Sequence, residues 1–177
     1  VEDHYSRAAK GGVGFAKAAG NYAASLLPAK KAAEEGYDQL IWTDATEHKY
    51  IEESGTMNLM TIIDGKIVTP PAGETILGGI TRDAVLTIAN DLGYKVEERP
   101  LSVDEVIEAQ KAGKLEDMFG TGTAVTITHI SGFGRNGIDY ELPPVSERKI
   151  STHLKNELEA IKRNQNHSHK EWLVIVK

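Results

Sequence analysis

The sequence predicts an α/β (α+β) domain in which short strands alternate with amphipathic helices. Three observations carry that reading. Apolar residues recur at helical spacing in separate stretches, short apolar or alternating runs lie between them, and glycines stand where helices should stop. A length of 177 residues with a hydrophobic fraction of 40% is enough for a single buried core. No internal repeat or low-complexity linker divides the chain, so residues 1–177 read as one domain.

Residues 1–17 are polar and glycine-punctuated, a loop or an irregular strand. From Tyr22 an apolar stripe follows helical spacing through Leu26, Ala29 and Ala33, and Gly36 stands where a C-cap glycine belongs. Pro28 inside that stripe should kink the helix or mark its true start. Leu40-Ile41-Trp42 reads as a short buried strand. Met57 to Ile63, then Asp64-Gly65, then Lys66-Ile67-Val68 reads as a hairpin, since Asp-Gly favours a type I′ turn. Thr81 to Leu92 is a helix ended by Gly93, and Ser102 with Glu105 forms a capping box that starts the next one. Val125 to Ile130 alternates as a half-buried strand. The stretch from Gly132 to Gly137 reads as a loop leading to its partner strand at Ile138 to Leu142. Ile150, Leu154, Leu158 and Ile161 mark a long amphipathic helix. Trp172 to Val176 reads as a closing strand.

Lys plus Arg is 20 and Asp plus Glu is 26, a net charge of −6. That sign argues against non-specific binding to nucleic acid or to an anionic membrane surface. With no cysteine, disulfides, thiolate catalysis and cysteine-ligated zinc are excluded. No apolar run approaches the ~20 residues that span a bilayer, no signal peptide is visible, and a cytoplasmic location fits. The start at Val1 suggests a fragment of a longer protein or a processed product.

Four glycine- and hydroxyl-rich stretches are candidates for chemistry: Lys10-Gly11-Gly12, Lys17 to Asn21, Gly78-Gly79-Ile80-Thr81 and Gly120-Thr121-Gly122-Thr123. Gly79-Ile80-Thr81 opens a helix, whose free N–H groups make it the best single candidate for a phosphate, although most glycine turns before helices bind nothing. Lys17 sits among small residues. Partial desolvation there would lower its pKa and free the amine for Schiff-base chemistry, whereas the plain alternative is a surface lysine on a loop. Glu53 reads equally well as a solvated charge, and a lone Tyr22 on a helix is usually core. The Gly-Gly-Val-Gly run lacks the Gly-Lys-Ser/Thr ending of a P-loop. The six histidines show no metal-like grouping, so no metal site is expected.

Taken in order, the pieces say more. Lys10-Gly-Gly-Val-Gly-Phe-Ala-Lys17-Ala-Ala-Gly20-Asn21-Tyr22, then Tyr50-Ile-Glu-Glu53-Ser-Gly55-Thr56-Met57-Asn58, then Pro70-Pro71 and Ile76-Leu77-Gly-Gly79-Ile80-Thr81-Arg82, then Met118-Phe119-Gly-Thr-Gly122-Thr123-Ala124 closely resemble the branched-chain amino acid aminotransferases. These are fold type IV pyridoxal-phosphate enzymes of the D-amino-acid-aminotransferase-like class. The resemblance implies a C-terminal, cofactor-binding domain with a mixed sheet or pseudo-barrel flanked by helices, and a parent protein whose N-terminal domain is absent here. It implies pyridoxal 5′-phosphate as cofactor. Lys17 matches the lysine that carries the cofactor and then moves the substrate proton. Tyr22 matches the tyrosine on the cofactor's 3′ oxygen, and Glu53 the carboxylate that pairs with the pyridine nitrogen. Ile80 and Thr81 match the phosphate-binding turn, and Thr123 a second phosphate contact. Gly122, Thr123 and Ala124 match the turn that meets the substrate carboxylate.

The reaction so implied is amino transfer between leucine, isoleucine or valine and 2-oxoglutarate, in a protein that works as a homo-oligomer. The missing domain would supply an arginine for the phosphate, so this chain alone is expected to bind cofactor weakly and not to transaminate. Some members carry a redox-active cysteine pair where this chain has Val125 and Thr128. Alternatives are a D-amino acid aminotransferase, an aminodeoxychorismate lyase, or a domain that keeps the fold without the cofactor.

Overall fold

A computed structural model of the protein describes residues 1–174 and 176. In chain order it contains helices α1 (Ala19–Ala23) and α2 (Leu26–Glu34), strands β1 (Ile41–Thr43), β2 (Ile51–Ser54), β3 (Met57–Ile63) and β4 (Lys66–Thr69), helix α3 (Ile80–Asp91), strand β5 (Lys95–Glu98), helix α4 (Val103–Lys111), strands β6 (Leu115–Gly122), β7 (Thr126–His129), β8 (Gly132–Arg135) and β9 (Ile138–Glu141), and helix α5 (Lys149–Lys162). Among the described residues, seven strands form one sheet in the order β1-β2-β3-β4-β5, with β6 also paired to β3 and β7 paired to β6. Every pair in it is antiparallel except β4 and β5, which run parallel with α3 as their crossover. The mixed α/β architecture is therefore the one the sequence predicts.

The sheet buries both faces, and alternation along β3 decides which side chain goes where. Leu59 points into a core shared with α4 and the β8–β9 hairpin, where Val106, Phe133 and Tyr140 lie. Met60 and Ile62 point into the opposite core, under Val85 and Ala89 of α3 and Leu154, Leu158 and Ile161 of α5. The β3–β6 register shifts between Ile62 and Ile63. Asp117 stays on the α5 side, while Leu115 joins the α4 core. Glu116, in the bulge between them, accepts the Gly65 N–H at 2.7 Å.

Local chemistry explains the helix ends. Ser102 Oγ accepts the Glu105 N–H at 3.1 Å, the first half of the expected box, but the Glu105 carboxylate holds Arg99 at 2.6 Å instead of turning back. At the end of α2, Gly36 takes φ 90° and Tyr37 N–H reaches back to Ala32 O, the left-handed cap that glycine adopts most cheaply. The Asp64-Gly65 turn has positive φ at both residues, 54° and 72°, as a type I′ turn requires.

The structure departs from the sequence reading in several places. The helix expected from Tyr22 is two, α1 and α2, and Pro28 is the third residue of α2, where its missing N–H costs nothing. Gly132 to Gly137 is not a loop. It contains β8, paired with β9 across Asn136-Gly137, both at positive φ. The strand at Thr126–His129 pairs with β6 instead of β9, and β2, β5 and β6 are further strands. Lys170–Trp172 forms a 3-10 turn where a closing strand was expected from Trp172. Of that expected strand, residue 175 lies outside the described residues.

Candidate active site

Lys17 ends a run of turns that begins at Lys10 and leads directly into α1. Two features hold that run. Asn21, buried on α1, donates its side-chain amide to Val13 O at 2.9 Å and Ala16 O at 3.0 Å. Gly14 lies against residues 74 and 75, so a Cβ there would meet Ala8 Cβ at 2.6 Å, Thr75 Cα at 2.7 Å and Glu74 O at 2.8 Å. Only glycine permits that approach. The loop bearing Lys17 is thereby docked on the segment that leads to α3.

Glu53 comes from β2, one residue before the end of the strand. The β2–β3 hairpin turns through Gly55 at φ 56° and Thr56, which aligns Glu53 with Asn58. Glu53 is 3% exposed, and each carboxylate oxygen has a neighbour. Oε1 accepts Leu77 N–H at 2.8 Å, with Asn58 Nδ2 a longer contact at 3.4 Å. Oε2 lies 3.3 Å from Arg7 Nε, an ion pair whose N–H is not aligned for a hydrogen bond. Arg7 also donates to Gly14 O at 3.4 Å and to Thr75 O. Burial pushes the Glu53 carboxyl up. The Arg7 guanidinium, the Leu77 N–H and, more weakly, the Lys17 ammonium pull it down, while Glu52 pushes it up. Burial dominates.

A cleft brings together Arg7, Ala16, Asn21, Tyr22, Ser25, Glu53, Gly55, Thr56 and Leu77. Tyr22 and Glu53 thus line the same cleft, and Lys17 follows Ala16 in the chain. The expectation that small neighbours desolvate Lys17 is not met within this chain, because the residue is exposed. Tyr22 is 39% exposed and not core, because α1 is a single short turn lying over the cleft. Glu53, read equally as a solvated charge, is instead among the most buried carboxylates.

Ile80 and Thr81 open α3, as expected, but they do not line the cleft. Ile80 is 83% exposed. Gly79 is the N-cap and has no side chain to offer, so the first N–H groups of α3 have no side-chain cap. The turn leading to it is tied to the cleft, since Asn58 Nδ2 donates to Leu77 O at 2.7 Å. Gly122 ends β6 and Thr123 and Ala124 begin the turn to β7; all three stand outside the cleft, with Thr123 and Ala124 exposed. Strand pairing puts them at the same end of the sheet: Asn58 faces Thr121, which precedes Gly122. The Thr121 hydroxyl is buried there without a partner.

Arg7, Asn21 and Asn58 are the participants that motif reading left out. Arg7 had no local signal, as its partners lie 46 and 68 positions away. Asn21 and Asn58 were quoted within motifs without a role. No group of three or more potential metal ligands occurs among the described residues, and no helix among them is long and apolar enough to cross a membrane.

The sequence profile of amino-transferase class IV matches residues 14–133. A probable branched-chain-amino-acid aminotransferase of Staphylococcus aureus (strain N315) is 52% identical over 130 residues, 73% of this chain and 36% of the relative. The chain therefore spans about a third of that relative's length. Its structure is similar to that of the branched-chain amino acid aminotransferase of Escherichia coli, with TM-score 0.79 and 31% identity over 99% of this chain and 54% of the other. The T.th. branched-chain amino acid aminotransferase, solved with pyridoxamine 5′-phosphate, gives TM-score 0.80 and 28% identity over 98% of this chain and 54% of that one. Glu53 and the opening of α3 fall inside the profile match, Arg7 just before it, and with the fold held in common this chain belongs to the amino-transferase class IV family.

Proposed function

We propose that residues 1–177 are the C-terminal, pyridoxal 5′-phosphate-binding domain of a longer branched-chain amino acid aminotransferase. The buried Glu53 carries this reading. A carboxylate so enclosed is expensive unless a partner needs it, and here an arginine, a backbone N–H and an asparagine fix it at the wall of a cleft. A heteroaromatic nitrogen seated opposite would complete its partners, so the residues present fit a pyridine ring. The uncapped first turn of α3 fits a phosphate in the same way.

When bound, that cofactor supplies an electron-accepting ring that makes the amino acid's Cα proton acidic. The chain's own residues do the rest. Glu53 would hold a proton at the ring nitrogen, and the Arg7 guanidinium, 3.3 Å from its Oε2, opposes the upward push of burial on that carboxyl. Lys17 anchors the cofactor and then moves the proton at Cα. Tyr22 donates its phenol to the 3′ oxygen. Ile80 and Thr81, with Thr123, take the phosphate, and Gly122, Thr123 and Ala124 meet the substrate carboxylate.

The substrates in this reading are leucine, isoleucine and valine, with 2-oxoglutarate as the amino acceptor. The working form is a cytoplasmic homo-oligomer whose N-terminal domain adds an arginine for the phosphate. The test is a panel on the full-length protein that carries this chain, pairing L-leucine, L-isoleucine, L-valine and D-alanine each with 2-oxoglutarate. Turnover of the three branched L-amino acids and not of D-alanine is expected. Preference for the D-amino acid, or pyruvate released from aminodeoxychorismate, would contradict it.

A further inference from the structure

The strand that follows the β6–β7 turn opens on a residue that should not be comfortable there. Thr126 has φ 58°, the left-handed region that glycine enters freely and that a β-branched side chain almost never does. Such outliers persist where the surroundings over-determine them. The surroundings here are on α5. The Thr126 side chain is buried at 5% exposure. Its hydroxyl donates to Glu159 Oε1 at 2.6 Å and accepts from Lys162 Nζ at 2.7 Å, and Lys162 Nζ also donates to Glu159 Oε1 at 2.7 Å. A hydroxyl has one proton to give, and it is given to a carboxylate that the lysine holds charged.

The helix that supplies this grip is itself fastened to β6 at its other end. Ser151 and Arg148 both bind Asp117, the latter at 2.9 Å. The segment from Asp117 to Thr126 is thus held by α5 both before and after the exposed turn of Thr123 and Ala124. Val125 N–H closes that turn on Gly122 O at 3.3 Å.

We propose that Glu159 and Lys162 are positioning residues that act through the Thr126 hydroxyl. They hold the β6–β7 turn in one orientation, so that Thr123 and Ala124 meet the substrate carboxylate without first having to order. The inference rests on the reading of that turn given above. It explains why threonine occupies a glycine position: a glycine would relieve the backbone but leave α5 nothing to hold.

The experiment uses the full-length holoprotein with Thr126→Ser, Thr126→Val, Thr126→Gly and Glu159→Gln. Thr126→Ser keeps the handle and should stay within about twofold of the unsubstituted protein. Thr126→Val and Thr126→Gly should raise KM for leucine roughly fivefold to tenfold, the worth of about one hydrogen bond, with kcat changed much less and cofactor dissociation unchanged. Loss of binding common to ground and transition states has that signature. Amide hydrogen exchange at the turn in the cofactor-free protein should quicken in the same two variants and in Glu159→Gln, and not in Thr126→Ser. Thr126→Gly tests the idea even if Thr126→Val folds poorly, since it removes the strain together with the handle. Unchanged KM and exchange in Thr126→Gly would overturn the proposal, and so would a KM rise that only tracks cofactor loss. If the unsubstituted protein does not transaminate, the functional reading fails instead, while the exchange measurement still judges the grip.

Discussion

Two neighbouring glutamates, Glu53 in the wall of the cleft and Glu52 outside it, both feel the Arg7 guanidinium. Glu53 has been given partners. Glu52 is 5% exposed and its Oε2 has none. Burial is the main influence on it and pushes its carboxyl above 4.5, with Thr75 and Arg7 opposing. Between 4.5 and the raised value, the folded chain holds a proton that the unfolded chain has released. Unfolding then releases it, so stability falls as the pH climbs through that window. Glu52→Gln should therefore stabilise the chain at neutral pH, by roughly 1 kcal/mol for a poorly satisfied buried group, with the gain vanishing once the pH is below 4.5. Urea unfolding at acid and neutral pH checks this, and an equal gain at both would contradict it. The motif order singled out Lys17, Tyr22 and Glu53, of which Tyr22 and Glu53 line the cleft. It did not make legible Arg7, whose role depends on segments that only the fold brings near.

Among the elements, the Lys17 loop and α5 are the ones whose anchors can be cut singly. Gly14→Ala puts a methyl into Thr75 Cα and Glu74 O, backbone that cannot step aside. It should cost about 1–3 kcal/mol and displace Lys17, read as lowered covalent cofactor attachment in the full-length protein. Thermal unfolding followed alongside should show no loss of the rest of the fold. Arg148 and Asp117 are 2% and 3% exposed at their side chains. Arg148→Ala takes the guanidinium from a buried aspartate and should cost on the order of 3–5 kcal/mol, whereas Lys149→Ala next to it, at an exposed position, should stay within about 0.5 kcal/mol. Chemical denaturation of the two variants decides. Helices were legible because their apolar stripes and caps are local. Strand β6 was not, because it is buried on both faces and carries Asp117 inward, so no alternation marks it. The β8–β9 hairpin was announced by Asn136-Gly137 and overlooked because the flanking glycines look like loop.

At the scale of the whole molecule, the residues that flank Lys17 in the chain expose apolar side chains. Val13, Phe15, Leu26 and Leu27 are between 50% and 72% exposed, and Lys17 and Tyr22 face outward with them. Exposed apolar side chains, where they adjoin, mark an interface. In the proposed function the N-terminal domain covers these side chains and adds a charged contact to the phosphate. Such a contact is worth ~1.5–3 kcal/mol, and ~1.4 kcal/mol is tenfold in affinity. The isolated chain should thus bind pyridoxal 5′-phosphate roughly tenfold to a hundredfold more weakly than the full-length protein, and should not transaminate. Titration of both by fluorescence compares them, and equal affinities would contradict the account. The central claim, that Lys17 carries the cofactor, is tested most directly by treating the cofactor-loaded full-length protein with borohydride and mapping the labelled peptide. The account predicts a phosphopyridoxyl label on Lys17, with the absorbance band near the visible edge absent from a Lys17→Ala variant. A label on Lys10, Lys30 or another lysine, or a band that survives the substitution, would contradict it.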